Sequence, residues 1–209
     1  MNKNFLELMG EPILIRTLKT FSRVKRVNFL IVVAAANEVA TVEELLRGVK
    51  ELKPWCVTVG GSERQYSIAN GLKLLPDDAE IVLVHDAARP LISARTINDI
   101  IDAAEKFGGA IAAVPVKDTI KVVDAEGFVK STPPRSGLVA VQTPQGFKRE
   151  ILLQAYARAS EENFLGTDDA SLVERLGVKI KIVAGSYENI KVTTPEDINV
   201  AETFLRREI

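Results

Sequence analysis

The feature that most constrains this chain is a series of apolar, β-branched runs too continuous to alternate between core and solvent. They lie at Val27–Ala34, Cys56–Val59, Glu80–Val84, Ala110–Val116 and Leu138–Gln142. A strand that is apolar on both faces must be covered on both faces, which is the condition of a parallel sheet between layers of helix. Segments with helical apolar spacing supply the cover at Ile13–Phe21, Glu38–Leu52, Glu63–Leu75, Ser93–Phe107, Lys148–Ala159 and Asp168–Leu176. Strand and helix alternate through residue 116. The pattern predicts an α/β fold, a three-layer sandwich around a doubly wound, mainly parallel sheet.

Two stretches depart from the alternation. TIKVVDAEGFVK, residues 119–130, sets the turn signal Asp124-Ala125-Glu126-Gly127 between two short runs, which reads as a hairpin. It forms the centre of an arm spanning about residues 117–137, of the kind that supports a homodimer. Later, Val178–Val183 and Asn189–Thr193 suggest one or two further strands before a closing helix Pro195–Arg207, with Thr194 as its cap. There is no internal repeat, and 209 residues suit a single domain.

Composition removes several classes of function. The formal net charge of −1 argues against a broad basic surface for nucleic acid, while leaving room for a local cationic pocket. The longest apolar runs, such as residues 29–36, fall far short of the roughly 20 residues a membrane span needs. The opening MNKNFLELMGEP carries neither a secretory nor a transit pattern. With one cysteine, Cys56, there is no internal disulfide and no zinc-ligand spacing, so a cytoplasmic setting is expected.

Open α/β sheets bind ligands at the carboxyl ends of their strands, and Asp86 stands there, after the run Ile81–Val84. A carboxylate so placed can hold Mg²⁺ against a substrate's phosphates, with Ala87 and Ala88 permitting close approach and Arg89 reaching an anion. It reads equally as a loop carboxylate paired with Arg89. His85, the single histidine, points to the opposite sheet face and reads as a packed or hydrogen-bonded residue rather than a general base. In VGGSERQYSIANGL, residues 59–72, two glycines before a helix let backbone amides approach a ligand, with Ser62, Arg64 and Ser67 facing it. The alternative is a turn with Ser62 as an ordinary cap. Thr143 and Gln145 in VQTPQGF follow a buried run, and GTDDAS puts Thr167 at a helix start, where capping is the plain reading. Lys191, in ENIKVTTPED, reads by itself as a solvated strand lysine.

Taken in order, GGSERQYSI, VHDAARP, VKDTIK, QTPQGF, TDDAS and NIKVTTPED resemble the 2-C-methyl-D-erythritol 4-phosphate cytidylyltransferases of isoprenoid biosynthesis, across essentially the whole chain. VHDAARP is the most specific, because ribitol 5-phosphate cytidylyltransferases usually carry another pair where Ala87 and Ala88 stand. The resemblance implies transfer of CMP from CTP to the sugar-alcohol phosphate with release of pyrophosphate, using Mg²⁺. It implies that Asp86 binds the metal, that Gly61, Ser62 and Ser67 contact the cytidine, and that Lys3 and Lys191 offset phosphate charge. It further implies that Arg89, Thr119, Arg135, Thr143 and Thr167 hold the acceptor, some from a second subunit through the arm. Such chemistry works by positioning and charge neutralisation, so it needs Lys, Arg and metal rather than a protein nucleophile.

One region departs from the family. Its members begin with a buried strand and a Gly-rich loop that wraps the triphosphate, followed by a Pro-Lys-Gln-aromatic segment. Asn2-Lys3-Asn4-Phe5 matches the end of that region, with Asn2 and Asn4 where Pro and Gln are usual. The resemblance therefore predicts further native residues ahead of Met1. Two alternatives follow: a ribitol 5-phosphate acceptor, or a non-catalytic module that binds sugar phosphate but not CTP tightly.

Overall fold

The computed structural model describes residues 5–207. After a small antiparallel pair, β1 (Glu7–Leu8) and β2 (Glu11–Pro12), the chain runs α1 (Ile13–Arg23), β3 (Leu30–Ala34), α2 (Val39–Arg47), β4 (Trp55–Val59), α3 (Arg64–Leu72), β5 (Ile81–Val84), α4 (Ala94–Phe107) and β6 (Gly109–Pro115). The arm follows as β7 (Val122–Val123) and β8 (Val129–Ser131), then β9 (Val139–Lys148), α5 (Arg149–Glu161), α6 (Asp169–Glu174), β10 (Lys181–Ala184) and α7 (Pro195–Leu205). The α/β alternation and the hairpin stand where the apolar periods put them.

β10, β6, β9 and β5 form one four-stranded sheet in that order, and β3 and β4 form a parallel pair. β6 and β10 are also parallel. β9, however, is antiparallel to both β5 and β6, and it extends ten residues to Lys148 rather than ending at Gln142. The reason lies in the connection. A parallel return requires a long crossover, usually a helix, whereas only the arm separates β6 from β9. The QTPQGF segment consequently lies within a buried strand and not beyond its end. Asn189–Thr193 forms no strand; it is a loop pinned by a bond from the Val192 amide to the Ala88 carbonyl, 2.8 Å.

Leu14, Leu18 and Phe21 of α1, Val42 and Leu46 of α2, and Ile97 and Ile101 of α4 pack with Leu30 and Val32 of β3 in one core cluster. A second joins Val82, Ile111 and Phe147 to Leu152 and Tyr156 of α5 and Leu172 and Val173 of α6. Between them the edges of β3 and β5 face each other across a cavity of about 890 Å³, lined by residues 30–35 on one side and 80–87 on the other. Each of these strands has a single strand neighbour among the described residues.

Candidate active site

β5 ends at Val84, and His85 and Asp86 follow directly. The Asp86 carboxylate is ringed by three cations. Lys191 Nζ lies 2.9 Å from Oδ2, Arg89 Nε 3.6 Å from Oδ2, and Arg64 Nε 3.8 Å from Oδ1. Burial by itself would raise this carboxyl, but the hydrogen bond and charge of Lys191, with Arg64 and Arg89 behind, hold it below the ordinary aspartate value. Arg89 is fixed by a turn, its amide donating to the Asp86 carbonyl at 2.9 Å, and by its Nη1 donating to the Asn189 carbonyl at 2.8 Å. Loss of hydration pushes the Arg89 pKa down. Its Nε and the Oδ1 of Asn189 are buried without a hydrogen-bond partner.

Thr143 and His85 secure this loop from below. The Asp86 amide donates to Thr143 Oγ1 at 3.0 Å, and Thr143 Oγ1 lies 3.1 Å from His85 Nδ1. His85 Nε2 is 3.1 Å from the Arg89 carbonyl. A carbonyl only accepts, so Nε2 carries the proton, and the Thr143 hydroxyl donates to Nδ1. Desolvation lowers the His85 pKa to about 4, which keeps the ring neutral at physiological pH. His85 is therefore the hydrogen-bonded residue expected, and it ties Thr143 to Arg89.

The glycine turn comes from β4. The Gly60 amide donates to Ala34 at 2.8 Å, and the Gly61 amide donates to Ser67 Oγ at 3.0 Å. A Cβ on Gly61 would stand 2.4 Å from that of Tyr66, so no larger residue fits. Ser62 is exposed beside this turn and does not cap α3, whose cap position is Glu63. Exposed Gly61 and Ser62 and half-buried Ser67 thus form one shelf at the α3 amino terminus, and Arg64 reaches from it toward Asp86.

The remaining expected residues divide. Lys191 joins Asp86, and Thr167 is exposed just ahead of the capping box formed by Asp168 and Ser171. Thr119 and Arg135 stay at the base of the arm, where Arg135 donates to the Lys117 carbonyl. No ion pair or hydrogen bond among the described residues links either to Asp86. Lys3 lies outside the described residues. The sequence reading passed over Asp169, Tyr156 and Asn189 as site-supporting residues. Asp169 was legible in principle, because adjacent carboxylates in one helical turn point about 100° apart and both cannot cap it.

No group of three His, Cys, Asp or Glu side chains suited to a metal occurs among the described residues. Asp86 nevertheless fits a hard divalent cation, which is usually held by one or two carboxylates together with substrate phosphates. Lys191 occupies Oδ2, whereas Oδ1 has only the distant Arg64 beside it.

The family model described as 2-C-methyl-D-erythritol 4-phosphate cytidylyltransferase matches residues 1–207. The enzyme of that name from Caldanaerobacter subterraneus subsp. tengcongensis is 46% identical over 208 residues, 99% of this chain and 92% of the relative. Its counterpart from Geobacillus thermodenitrificans is 48% identical over 209 residues, covering 100% and 91%. Among solved structures, a 4-diphosphocytidyl-2C-methyl-D-erythritol synthase from Anaerococcus prevotii superposes with a TM-score of 0.89 at 34% identity, covering 96% of this chain and 88% of the other. The Thermus thermophilus cytidylyltransferase gives 0.81 at 32%, covering 98% and 93%.

Proposed function

Since this chain belongs to the 2-C-methyl-D-erythritol 4-phosphate cytidylyltransferase family, we propose that it transfers the cytidylyl group of CTP to 2-C-methyl-D-erythritol 4-phosphate. An ionised oxygen of the acceptor phosphate attacks the α-phosphorus of CTP. The bond to the bridging oxygen of the β-phosphate breaks, and pyrophosphate leaves with that oxygen. No protein nucleophile or general base is required, consistent with a neutral, fully engaged His85. The observation that carries the reading is Asp86 at the carboxyl end of β5 inside a ring of three cations.

In this reading the Gly61, Ser62 and Ser67 shelf takes the cytidine. Arg89 and Lys191, the two cations at Asp86 Oδ2, meet phosphate oxygens. Asp86 Oδ1 would hold Mg²⁺, which supplies charge neutralisation on the triphosphate when bound. Lys3, Thr143 and Thr167 complete the set for phosphate charge and acceptor. Thr119 and Arg135 belong to a neighbouring subunit's site, reached through the arm. Support for a homodimer comes from the arm's apolar exposure: Val123 is 57% and Phe128 68% exposed on a hairpin with no core beneath it. The free thiol of Cys56 suits the reducing cytoplasm.

The test is pyrophosphate release from CTP with Mg²⁺ and each acceptor. Turnover with methylerythritol phosphate exceeding that with ribitol 5-phosphate is expected; the reverse order overturns the acceptor, and no release with either overturns the reaction.

A further inference from the structure

Arg64 is held differently from the other cations at Asp86. It opens α3 immediately after the glycine turn, and one edge of its guanidinium is tied down: Nη2 donates to Asp169 Oδ2 at 2.8 Å. The Asp169 side chain is completely buried. Its other oxygen accepts from the Tyr156 hydroxyl. Asp169 does not cap its own helix, because Asp168 accepts the Ser171 amide and performs that task. A carboxylate taken wholly out of water is costly, and a well-packed apolar pair serves stability as well or better. What the pair does provide is direction.

A guanidinium is a rigid planar fork. With Nη2 clamped, its Nε is fixed 3.8 Å from Asp86 Oδ1, the oxygen that Lys191 leaves free, and the side chain remains 39% exposed toward the site. The charges do not balance locally. Three cations face Asp86 while Asp169 offsets only Arg64, so the pocket retains surplus positive charge suited to a polyanion. The clamp is itself anchored. Gln145 of β9 donates to Asp168 at 2.8 Å and accepts the Ala170 amide at 3.0 Å, while Gln65 of α3 donates to the Phe164 carbonyl and accepts the Gly166 amide. The loop that carries Thr167 is thereby fastened to both α3 and β9.

We propose that Arg64 contacts the triphosphate of CTP beside Asp86, and that Asp169 is the positioning residue that aims it. This rests on the nucleotidyl-transfer reading above. A lysine at position 64 keeps a cation for Asp169, but its three N–H donors radiate from a single nitrogen, so once held at Asp169 it lacks the second, rigidly spaced edge that a guanidinium turns toward a phosphate.

Arg64→Lys and Asp169→Asn are compared with the wild type in steady-state kinetics, varying CTP and acceptor separately, and in calorimetric titration with CTP and Mg²⁺. Arg64→Lys is expected to lower kcat/KM for CTP about 30-fold and CTP affinity in parallel, with the acceptor KM within about threefold. Asp169→Asn should show the same split at about tenfold. If it folds poorly, Tyr156→Phe, which leaves the carboxylate in place, should show a smaller loss of the same kind. In Arg64→Ala, added guanidinium should restore activity saturably, and it should fail in Arg64→Ala/Asp169→Asn. CTP parameters within about twofold of wild type for Arg64→Lys would overturn the proposal. So would equal losses for both substrates that track the unfolded fraction. A wild type that binds CTP but transfers nothing refutes the reaction, and the affinity comparison then decides on Arg64 independently.

Discussion

Asp86 owes its position to the end of β5 and its ionisation to its neighbours, and both are separable by mutation. Asp86→Asn keeps the Thr143 bond, which uses the backbone amide, but removes the charge. It should lower kcat about 10³-fold, measured as pyrophosphate release, while circular dichroism shows an intact fold. His85 gives a different signature. Its folded pKa, about 4, lies below the ordinary value of 6.5, so between these pH values the unfolded chain binds the proton more readily. The neutral ring is therefore no burden above pH 6.5, and stability falls as pH drops toward 4, by on the order of 3 kcal/mol in total. His85→Gln should flatten that acid limb in urea unfolding at pH 7 and pH 5; an unchanged slope would refute the assignment. Residues such as Asp86 and Gly61 were legible because strand ends and glycine turns mark ligand sites in α/β sheets. Asp169 was legible only as the carboxylate beside Asp168 that cannot also cap α6; its burial against Tyr156 of α5 and its bond from Arg64 come from tertiary packing that local pattern does not encode.

At the level of elements, continuous apolar runs located the central strands and the helices between them, with boundaries shifting by a few residues. They could not set the direction of β9. They also misplaced its burial: Val139–Val141, inside the apolar run, are exposed, whereas the more polar stretch Gln142–Phe147 is buried, because β9 enters the sheet between β5 and β6 only there. The same strand explains a glycine that local patterning does not. A Cβ at Gly146 would lie 2.5 Å from Ile100 Cγ2 and 2.9 Å from Leu83 Cδ2, so α4 can sit on β9 only over a bare backbone. Gly146→Ala should cost about 1–3 kcal/mol in urea unfolding, through overpacking, and should move Thr143 and Gln145 with it. The arm was legible from its turn residues alone. Its exposed Phe128 is the test of the proposed homodimer: the wild type should sediment as a dimer and Phe128→Glu as a folded monomer, and a monomeric wild type would overturn that proposal.

At the scale of the whole molecule, the two sheet pieces meet, among the described residues, through side chains and helices and not through a continuous ladder. The bonds from Leu30 to Pro54 and from Gly60 to Ala34 turn those residues of β3 toward β4. Alternation then turns the backbone groups of Ile31 and Val33 toward the cavity, as it does those of Ile81 and Leu83 on β5, whose neighbour Glu80 bonds to Arg149. Hydrogen exchange should read this directly: amides of Ile31, Val33 and Leu83 should exchange at least about tenfold faster than that of Ile111, which β6 pairs with both β9 and β10. Equal protection would mean that the seam is closed in solution. An ordinary sheet frays from its rim inward. Among the described residues this one has its open strand edges at the middle, next to the glycine turn and Asp86, so any segment that pairs there also sets how firmly that turn and that carboxylate are held.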